Sequence, residues 1–432
     1  VRFLYIALAY LLTPFALVLL LWRGLRDRLR GAHGASYSSN LRERFGYGRH
    51  EQMPSIWVHA VSMGEVQASA ALVRSLNARY PQWPLVLTTV TPTGAERARA
   101  LFGSQVHVRY IPFDLPGCVR RFFDRAQPRL AVILETELWP NLYHECGYRK
   151  VPLVLASARI SPRSVHRYRR LVSLFRETLS HGIVIAAQSA SDAERFKSIG
   201  ANPAHTHVIG NIKFDFELPP GLESEGRRLR ERYAAGRSVW IAGSTHEGEE
   251  DIVLDAHASL RRSVRNALLV LVPRHPNRFD AVATHLRRRG IRFVARSSEE
   301  PVRNDTEVLL VDTVGQLLTF YGAADVAFVG GSLVPIGGHN LLEPAALRLP
   351  ILTGPHNFNS EDIAKLLLEV GAQQIVHDAQ ELGAQVSLLL SEPAERDRRG
   401  GLGRRALDEN RGALKRLLDL IDPLLRERSL YD

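Results

Sequence analysis

Val326-Ala-Phe-Val-Gly-Gly-Ser332 runs directly into Leu333-Val-Pro-Ile-Gly-Gly-His-Asn-Leu-Leu-Glu-Pro344. A short apolar run, then glycines, then a polar turn opening into Leu341, Leu342, Glu343 and Pro344 reads as strand, loop and helix start. Such a junction aims backbone N–H groups at an anion, and Gly337 with Gly338 lets the chain approach a ligand closely. Asn340 and Glu343 lie three apart, so both face one ligand from the first helical turn, where a carboxylate suits a ribose diol better than a phosphate. The same residues also fit a plain Gly-rich turn in which Asn340 caps the helix and Glu343 completes a capping box.

Short apolar runs alternating with amphipathic segments continue on both sides. In the second half they are Ser238 to Ala242, Ala267 to Val272, Glu307 to Val311 and Pro350 to Thr353. In the first half they are Ile56 to Val61, Leu85 to Val90, Val106 to Ile111, Leu130 to Leu134, Val151 to Leu155 and Gly182 to Ala187. Repeated β-α units of this length build parallel, doubly wound sheets, whose ligands bind beyond the carboxyl ends of the strands. A chain of 432 residues with 45% hydrophobic content can bury more than one core, so the expectation is an α/β protein of two Rossmann-like domains. The expected divisions are a membrane anchor over 1–22, a basic membrane-proximal segment over 23–53, a first domain over 54–216, a linker over 217–237 hinged at Pro219-Pro-Gly221, and a second domain with terminal helices over 238–432.

Phe3 to Trp22 is an uncharged run broken only by Thr13 and Pro14, and at about 1.5 Å per residue it just crosses a bilayer core. A cleavable signal peptide would have a shorter apolar region and a small-residue cleavage site, whereas Arg23, Arg26, Arg28 and Arg30 follow here. Only Arg2 precedes the run, so the positive-inside rule puts everything after Trp22 in the cytoplasm, with Arg42, Arg44 and Arg49 against acidic headgroups. Lys plus Arg less Asp plus Glu, 56 − 45, leaves a net +11, which favours anionic partners. The basic residues are not gathered with interleaved aromatics, so nucleic acid is disfavoured. Cys118 and Cys146 form no CxxC or Cys/His cluster, so neither a disulfide framework nor a zinc site is expected.

In the first domain the loop Ser62-Met-Gly-Glu65 enters a helix expected over Val66 to Tyr80. Ser62 and Glu65 spell a capping box, and the same Glu65 stands where a catalytic carboxylate would. Glu135-Thr-Glu-Leu-Trp-Pro-Asn141 puts two carboxylates at the mouth of the sheet, costly there unless solvated, paired or used. Their spacing allows a metal pair, but without a histidine cluster acid-base or electrostatic work is the better reading. Asn211-Ile-Lys-Phe-Asp215 sets Lys213 in a turn after a strand, where it is either solvated or on the ligand-facing edge. In the second domain Ser244 and Glu247 form another capping box or hold a phosphate. Pro273-Arg-His-Pro276 stiffens a loop presenting Arg274, and Asp312-Thr-Val-Gly-Gln316 offers backbone groups to a nucleotide base. There is no P-loop and no G-x-G-x-x-G after the first strand, so NTP hydrolysis and dinucleotide chemistry are disfavoured.

These five segments, Ser62 to Glu65, Glu135 to Asn141, Asn211 to Asp215, Pro273 to Pro276 and Gly337 to Pro344, occur in this order behind an apolar N-terminal run. Together the chain resembles the Kdo (3-deoxy-D-manno-octulosonic acid) transferases of lipopolysaccharide synthesis. The resemblance implies a GT-B glycosyltransferase, with two Rossmann-like domains facing across a cleft, acceptor on the first and CMP-Kdo on the second. It implies an inverting reaction without metal or other cofactor, at the cytoplasmic face of the inner membrane, on a phosphorylated acyl-disaccharide, the lipid A precursor. By the same resemblance Glu65 is the general base, Glu135 and Lys213 steady charge in the transition state, and Pro273, Arg274, Val314, Gly315, Gln316, Asn340, Leu341, Leu342 and Glu343 bind CMP. It carries no implication for oligomeric state. The alternatives are a GT-B transferase or epimerase acting on another nucleotide sugar, and a two-domain binding protein without turnover.

Overall fold

The computed structural model describes residues 2–29, 40–162, 164–165 and 182–429; Arg30, assigned above to the basic segment, lies outside them. The chain divides into two compact units, residues 1–215 with 410–432, and residues 216–409.

The first unit is built on strands β1 (Ser55–His59), β2 (Leu85–Thr89), β3 (Val106–Tyr110), β4 (Pro128–Leu134), β5 (Leu153–Ala158), β6 (Ile183–Ala187) and β7 (Thr206–Val208). They pair in parallel in the order β3-β2-β1-β4-β5-β6-β7. β1, β2, β4, β5 and β6 are buried along their whole length, as strands covered on both faces by crossover helices must be. The pleat divides each strand between two cores. Ile56, Val58, Leu130, Val132 and Leu134 face one, and Trp57, Ala131 and Ile133 face the other. The strand order reverses between β1 and β4, which opens a crevice at their carboxyl ends.

The second unit repeats the plan with β8 (Val239–Thr245), β9 (Leu268–Pro273), β10 (Phe293–Ala295), β11 (Val308–Leu310), β12 (Val326–Val329), β13 (Ile351–Thr353) and β14 (Gln373–Ile375). The order is β10-β11-β9-β8-β12-β13-β14, again parallel, with the reversal between β8 and β12. The two outermost strands, β10 and β14, did not stand out in the sequence. Each has three residues and is only partly buried, so neither leaves an apolar run.

Two expected boundaries are corrected. The segment 217–237 is not a free linker, since the helix Leu222–Ala234 buries Leu222, Tyr233 and Ala234 in the second unit. Its Gly226 lies so close to Gly322 that an added Cβ would meet that backbone at 2.7 Å. Nor does the second unit run to the end of the chain. The helix Ala413–Ser429 belongs to the first unit, where Ala413, Leu417, Leu418, Ile421 and Leu425 complete the core face of β1 and β4. The carboxylate of Asp215 fixes its start by accepting the N–H groups of Gly412 and Leu414, each at 2.7 Å. An apolar helical stripe names no target, which is why sequence order alone placed this helix with its neighbours.

The basic segment is likewise corrected at Arg44. This side chain is buried, stacks 4.5 Å from the centroid of the Tyr110 ring and donates to the Val90 carbonyl at 2.7 Å. It is not available to a headgroup. The helix Arg2–Leu29 is long and apolar enough to cross a membrane, and Phe3, Leu4, Leu8, Leu11, Phe15 and Val18 are exposed along it. Its first turn touches the first unit. The Tyr5 hydroxyl donates to Asp114 at 2.8 Å, and Asp114 also accepts the Asn141 and Leu142 N–H groups that open the helix Pro140–Tyr148.

Because the last helix is core rather than appendage, Ile421→Ala should destabilise the first unit by about 2–5 kcal/mol, the range for truncating a buried isoleucine. Hydrogen exchange resolved by segment checks this: β1 and β4 should exchange faster while β8 and β12 keep their protection.

Candidate functional site

The first unit carries a site at its strand-order reversal. After β1 the chain turns through Ser62, which caps the helix Met63–Ala68. Glu65 folds back, its Oε2 accepting the Val61 N–H at 2.8 Å, one residue earlier than a capping box requires. The helix expected over Val66 to Tyr80 breaks at Ser69 and resumes as Ala70–Arg79. Burial pushes the Glu65 carboxyl up to about 7; the Val61 N–H opposes the shift, and the charges of Glu135 and Glu137 add to it. The bond to the Val61 N–H and the raised carboxyl therefore belong to one side chain.

Glu135 follows β4, the neighbour of β1, with a left-handed backbone (φ 57°). Its carboxylate meets Lys213 Nζ at 2.9 Å and lies 3.9 Å from Arg159 Nε. Lys213 sits in the turn Ile212–Asp215, which Ser157 steadies by accepting the Ile212 N–H at 3.0 Å. Glu137 lies alongside, its carboxyl raised chiefly by burial. Among the described residues, Glu65, Glu135, Thr136, Glu137, Arg159, Ser161 and Ser164 line a cavity of about 270 Å³. The structure thus brings Glu65, Glu135 and Lys213 together. A carboxyl raised by burial stands beside an anion–cation pair.

In the second unit the loops after β8, β9, β11 and β12 emerge at one edge of the sheet. The N–H groups of the Gly-rich stretch do not await an anion. Glu249, fully buried, accepts from His246 at 2.9 Å, Gly331 at 2.7 Å, Ser332 at 3.0 Å and Leu333 at 2.9 Å. Ser244 and Glu247 form no capping box either, because the next helix starts only at Glu249 with Gly248 as its cap. Asn340 and Glu343 act together as expected from their spacing, the Asn340 amide donating to Glu343 Oε1 at 3.0 Å while its oxygen accepts the Leu342 N–H at 3.1 Å. Asn340 is exposed and Glu343 half-buried; Leu341 and Leu342 are buried and offer a ligand only backbone. Pro273 ends β9, and Arg274 next to it is held by its N–H to the Thr245 carbonyl at 3.0 Å. Val314 is 75% exposed and Gly315 has φ 84°, a bare turn beside Gln316, whose side chain accepts from Thr313 at 2.6 Å.

The family model described as 3-deoxy-D-manno-octulosonic-acid transferase (kdotransferase) matches residues 39–216. A 3-deoxy-D-manno-octulosonic acid transferase of Haemophilus influenzae is 41% identical over 428 residues, covering 98% of this chain and 99% of that protein. The chain belongs to the Kdo transferase family. A Kdo transferase of Bordetella pertussis is 37% identical over 430 residues, covering 96% of this chain and 99% of that one. In three dimensions the chain resembles a putative UDP-N-acetylglucosamine 2-epimerase of Listeria monocytogenes, with TM-score 0.56 and 14% identity over 86% of this chain and 97% of that one. It also resembles a glycosyltransferase of Rickettsia africae, with TM-score 0.55 and 12% identity over 87% of this chain and 99% of that one. The fold of this Kdo transferase is GT-B.

Two residues at these strand ends did not stand out in the sequence. Arg159 follows β5 and had no motif around it. Glu249 stands in the acidic run Glu247-Gly-Glu-Glu250, where nothing distinguishes a buried carboxylate from a solvated one. Glu249→Gln keeps the shape but turns an NH₂ group toward N–H donors, leaving buried groups unpaired at about 1–3 kcal/mol or more. Thermal unfolding should show the second unit melting earlier in this variant, and exchange should rise over 331–333 while the loop around Glu65 is unchanged.

Proposed function

We propose that this Kdo transferase moves Kdo from CMP-Kdo to the lipid A precursor with inversion at the anomeric carbon. The observation that carries the reading is Glu65, its carboxyl pushed to about 7 in a polar cavity that it shares with Glu135, the partner of Lys213. A base works best when its pKa lies near the working pH. The acceptor hydroxyl oxygen attacks the anomeric carbon while its proton passes to Glu65, and the bond from that carbon to the phosphate oxygen breaks. A single displacement inverts the centre. Of the other two carboxyls at hand, Glu137 is raised chiefly by burial and Glu135 is engaged by Lys213, which suits Glu135 to steadying charge rather than to forming a covalent intermediate.

The nucleotide binds the second unit, with Arg274 on the phosphate, the Asn340–Glu343 pair on the ribose and the turn Val314-Gly315-Gln316 on the base. No divalent cation is needed, because a nucleoside monophosphate leaves with less charge than a diphosphate and cationic side chains can meet it. Lys213 and Arg159 already attend Glu135, the carboxylate best placed for a metal.

Glu65→Gln tests the base. It should lower the rate by about 10² to 10⁴-fold with CMP affinity unchanged and with turnover of both forms indifferent to chelator. In the wild type kcat/KM should rise with pH through an apparent pKa near 7, and this limb should vanish in the variant. Stability gives the control. A carboxyl raised above its ordinary 4.5 to about 7 contributes stability that is complete below pH 4.5 and lost as the pH climbs through 7. At pH 8, therefore, Glu65→Gln should unfold no earlier than wild type. Near-normal turnover would leave Glu65 a helix cap only.

Membrane attachment is assigned to the helix Arg2–Leu29, spanning the inner membrane once with both units cytoplasmic. In a span its first turn lies about 30 Å of hydrocarbon from the second end, so the Tyr5 bond to Asp114 is given up. That bond is worth about 1.5–3 kcal/mol net as a bond to a charged group, whereas each of the several exposed Leu and Phe side chains gains about 1.5–3 kcal/mol on leaving water. Insertion wins. Leu4→Cys should react with an impermeant maleimide added outside spheroplasts, while the buried Cys118 and Cys146 stay silent. Protection of the new thiol until lysis would instead keep the first turn at Asp114.

A further inference from the structure

The loops after β8, β9 and β12, the first and last of them braced by Glu249, carry three histidines that no assignment above uses. His246 follows β8, His275 follows β9, and His339 lies in the Gly-rich loop after β12. The His246 and His339 rings stack with 7° between their planes and 5.1 Å between centroids. Their Nε2 atoms face each other at 2.8 Å. His275 stands edge-on to His246 at 5.3 Å. Gly331 makes room for the stack, since a Cβ there would meet the His339 ring at 3.0 Å. β8 and β12 are the two strands that flank the reversal of the second sheet, where ligands of doubly wound folds bind.

Two Nε2 atoms at this distance share one hydrogen, one ring donating and the other accepting. The pair can therefore take up one further proton at an outer nitrogen and keep its inner bond. The groups facing it decide when that happens. Burial, Arg274 and Arg278 push His246 down, and burial, Arg274 and the other two imidazoles push His339 down to about 3. His275 is lowered by the same surroundings. Of the carboxylates at hand, Glu249 is committed to its four N–H donors, and Glu250 holds Arg278 through bonds of 2.6 and 3.1 Å. The empty pair is neutral, and a dianion beside it would reverse the field that keeps it so.

We propose that His246 and His339 form a proton-accepting pair for the phosphate of the departing nucleotide, taking up one proton as that phosphate gains its second negative charge. The proposal rests on the nucleotide assignment of the second unit. The donor is a phosphodiester with one negative charge. When the bond between anomeric carbon and phosphate oxygen breaks, its electron pair stays on that oxygen and a monoester dianion results. The acceptor oxygen forms the new bond and its proton goes to Glu65. The proton entering the histidine pair comes from solvent, so the pair grips product more tightly than substrate and returns the proton when the nucleotide leaves.

Calorimetric titration of the full chain with CMP at pH 7.5, in buffers of different ionisation enthalpy, counts the protons that move. At this pH the free monoester is mostly dianionic, its second pKa being about 6. Wild type should take up about one proton per CMP bound, and cytidine, which lacks the phosphate, should cause none. His339→Gln should abolish the uptake and weaken CMP about tenfold or more, and His246→Gln should do the same, provided each variant melts with wild type. CMP binding without uptake in the wild type, or uptake that survives in both variants, would overturn the pair while leaving the nucleotide site standing. Failure of CMP to bind the wild type at all would overturn the site and the pair together.

Discussion

Each parallel sheet ends in a fringe of backbone N–H groups at the carboxyl ends of its strands, and something must accept from them. In both units a glutamate after the sheet's first strand does so, but the number of bonds differs. Glu249 takes four N–H groups from two loops and is consumed by architecture. Glu65 takes one from the Val61 backbone and keeps a raised carboxyl. One arrangement fixes loops that a nucleotide can rest on, and the other leaves a group that can still move a proton.

This difference explains what was legible in the sequence. The strands of five or more residues announced themselves as apolar runs, because a strand covered on both faces has few polar positions. Glu65, Glu135 and Lys213 lie far apart in sequence; the rule that ligands sit at strand carboxyl ends puts their loops on one edge, and the family resemblance joins them in one site. The geometry agrees with that joining to within a 2.9 Å ion pair. The Gly-rich stretch was recognised as strand, loop and helix, but its donors were assigned to a ligand. A buried internal carboxylate satisfies the same donors, and the sequence does not say which acceptor is nearer.

Other features stayed hidden for one shared reason: their partners are distant. Arg44 reads as one more basic residue until the Tyr110 ring lies under it. The final helix reads as an appendage until its stripe meets the core of β1 and β4. His246 and His339 are 93 residues apart, with no periodicity to connect them. Local pattern determines which faces are apolar and where turns fall. Which face meets which is settled by the strand order, and that order becomes visible only once the sheet is assembled.

The strand order also links the chain's crossings to its chemistry. The polypeptide passes between units at 215–216 and again at 409–410, and both crossings are gathered at one carboxylate, since Asp215 holds the N–H groups of Gly412 and Leu414. Asp215 shares a single turn with Lys213, the partner of Glu135. That turn is anchored on its other side by Ser157, itself in a left-handed conformation (φ 51°) at the end of β5. The residue that gathers the crossings is therefore two positions from the cation that sets the field around Glu135.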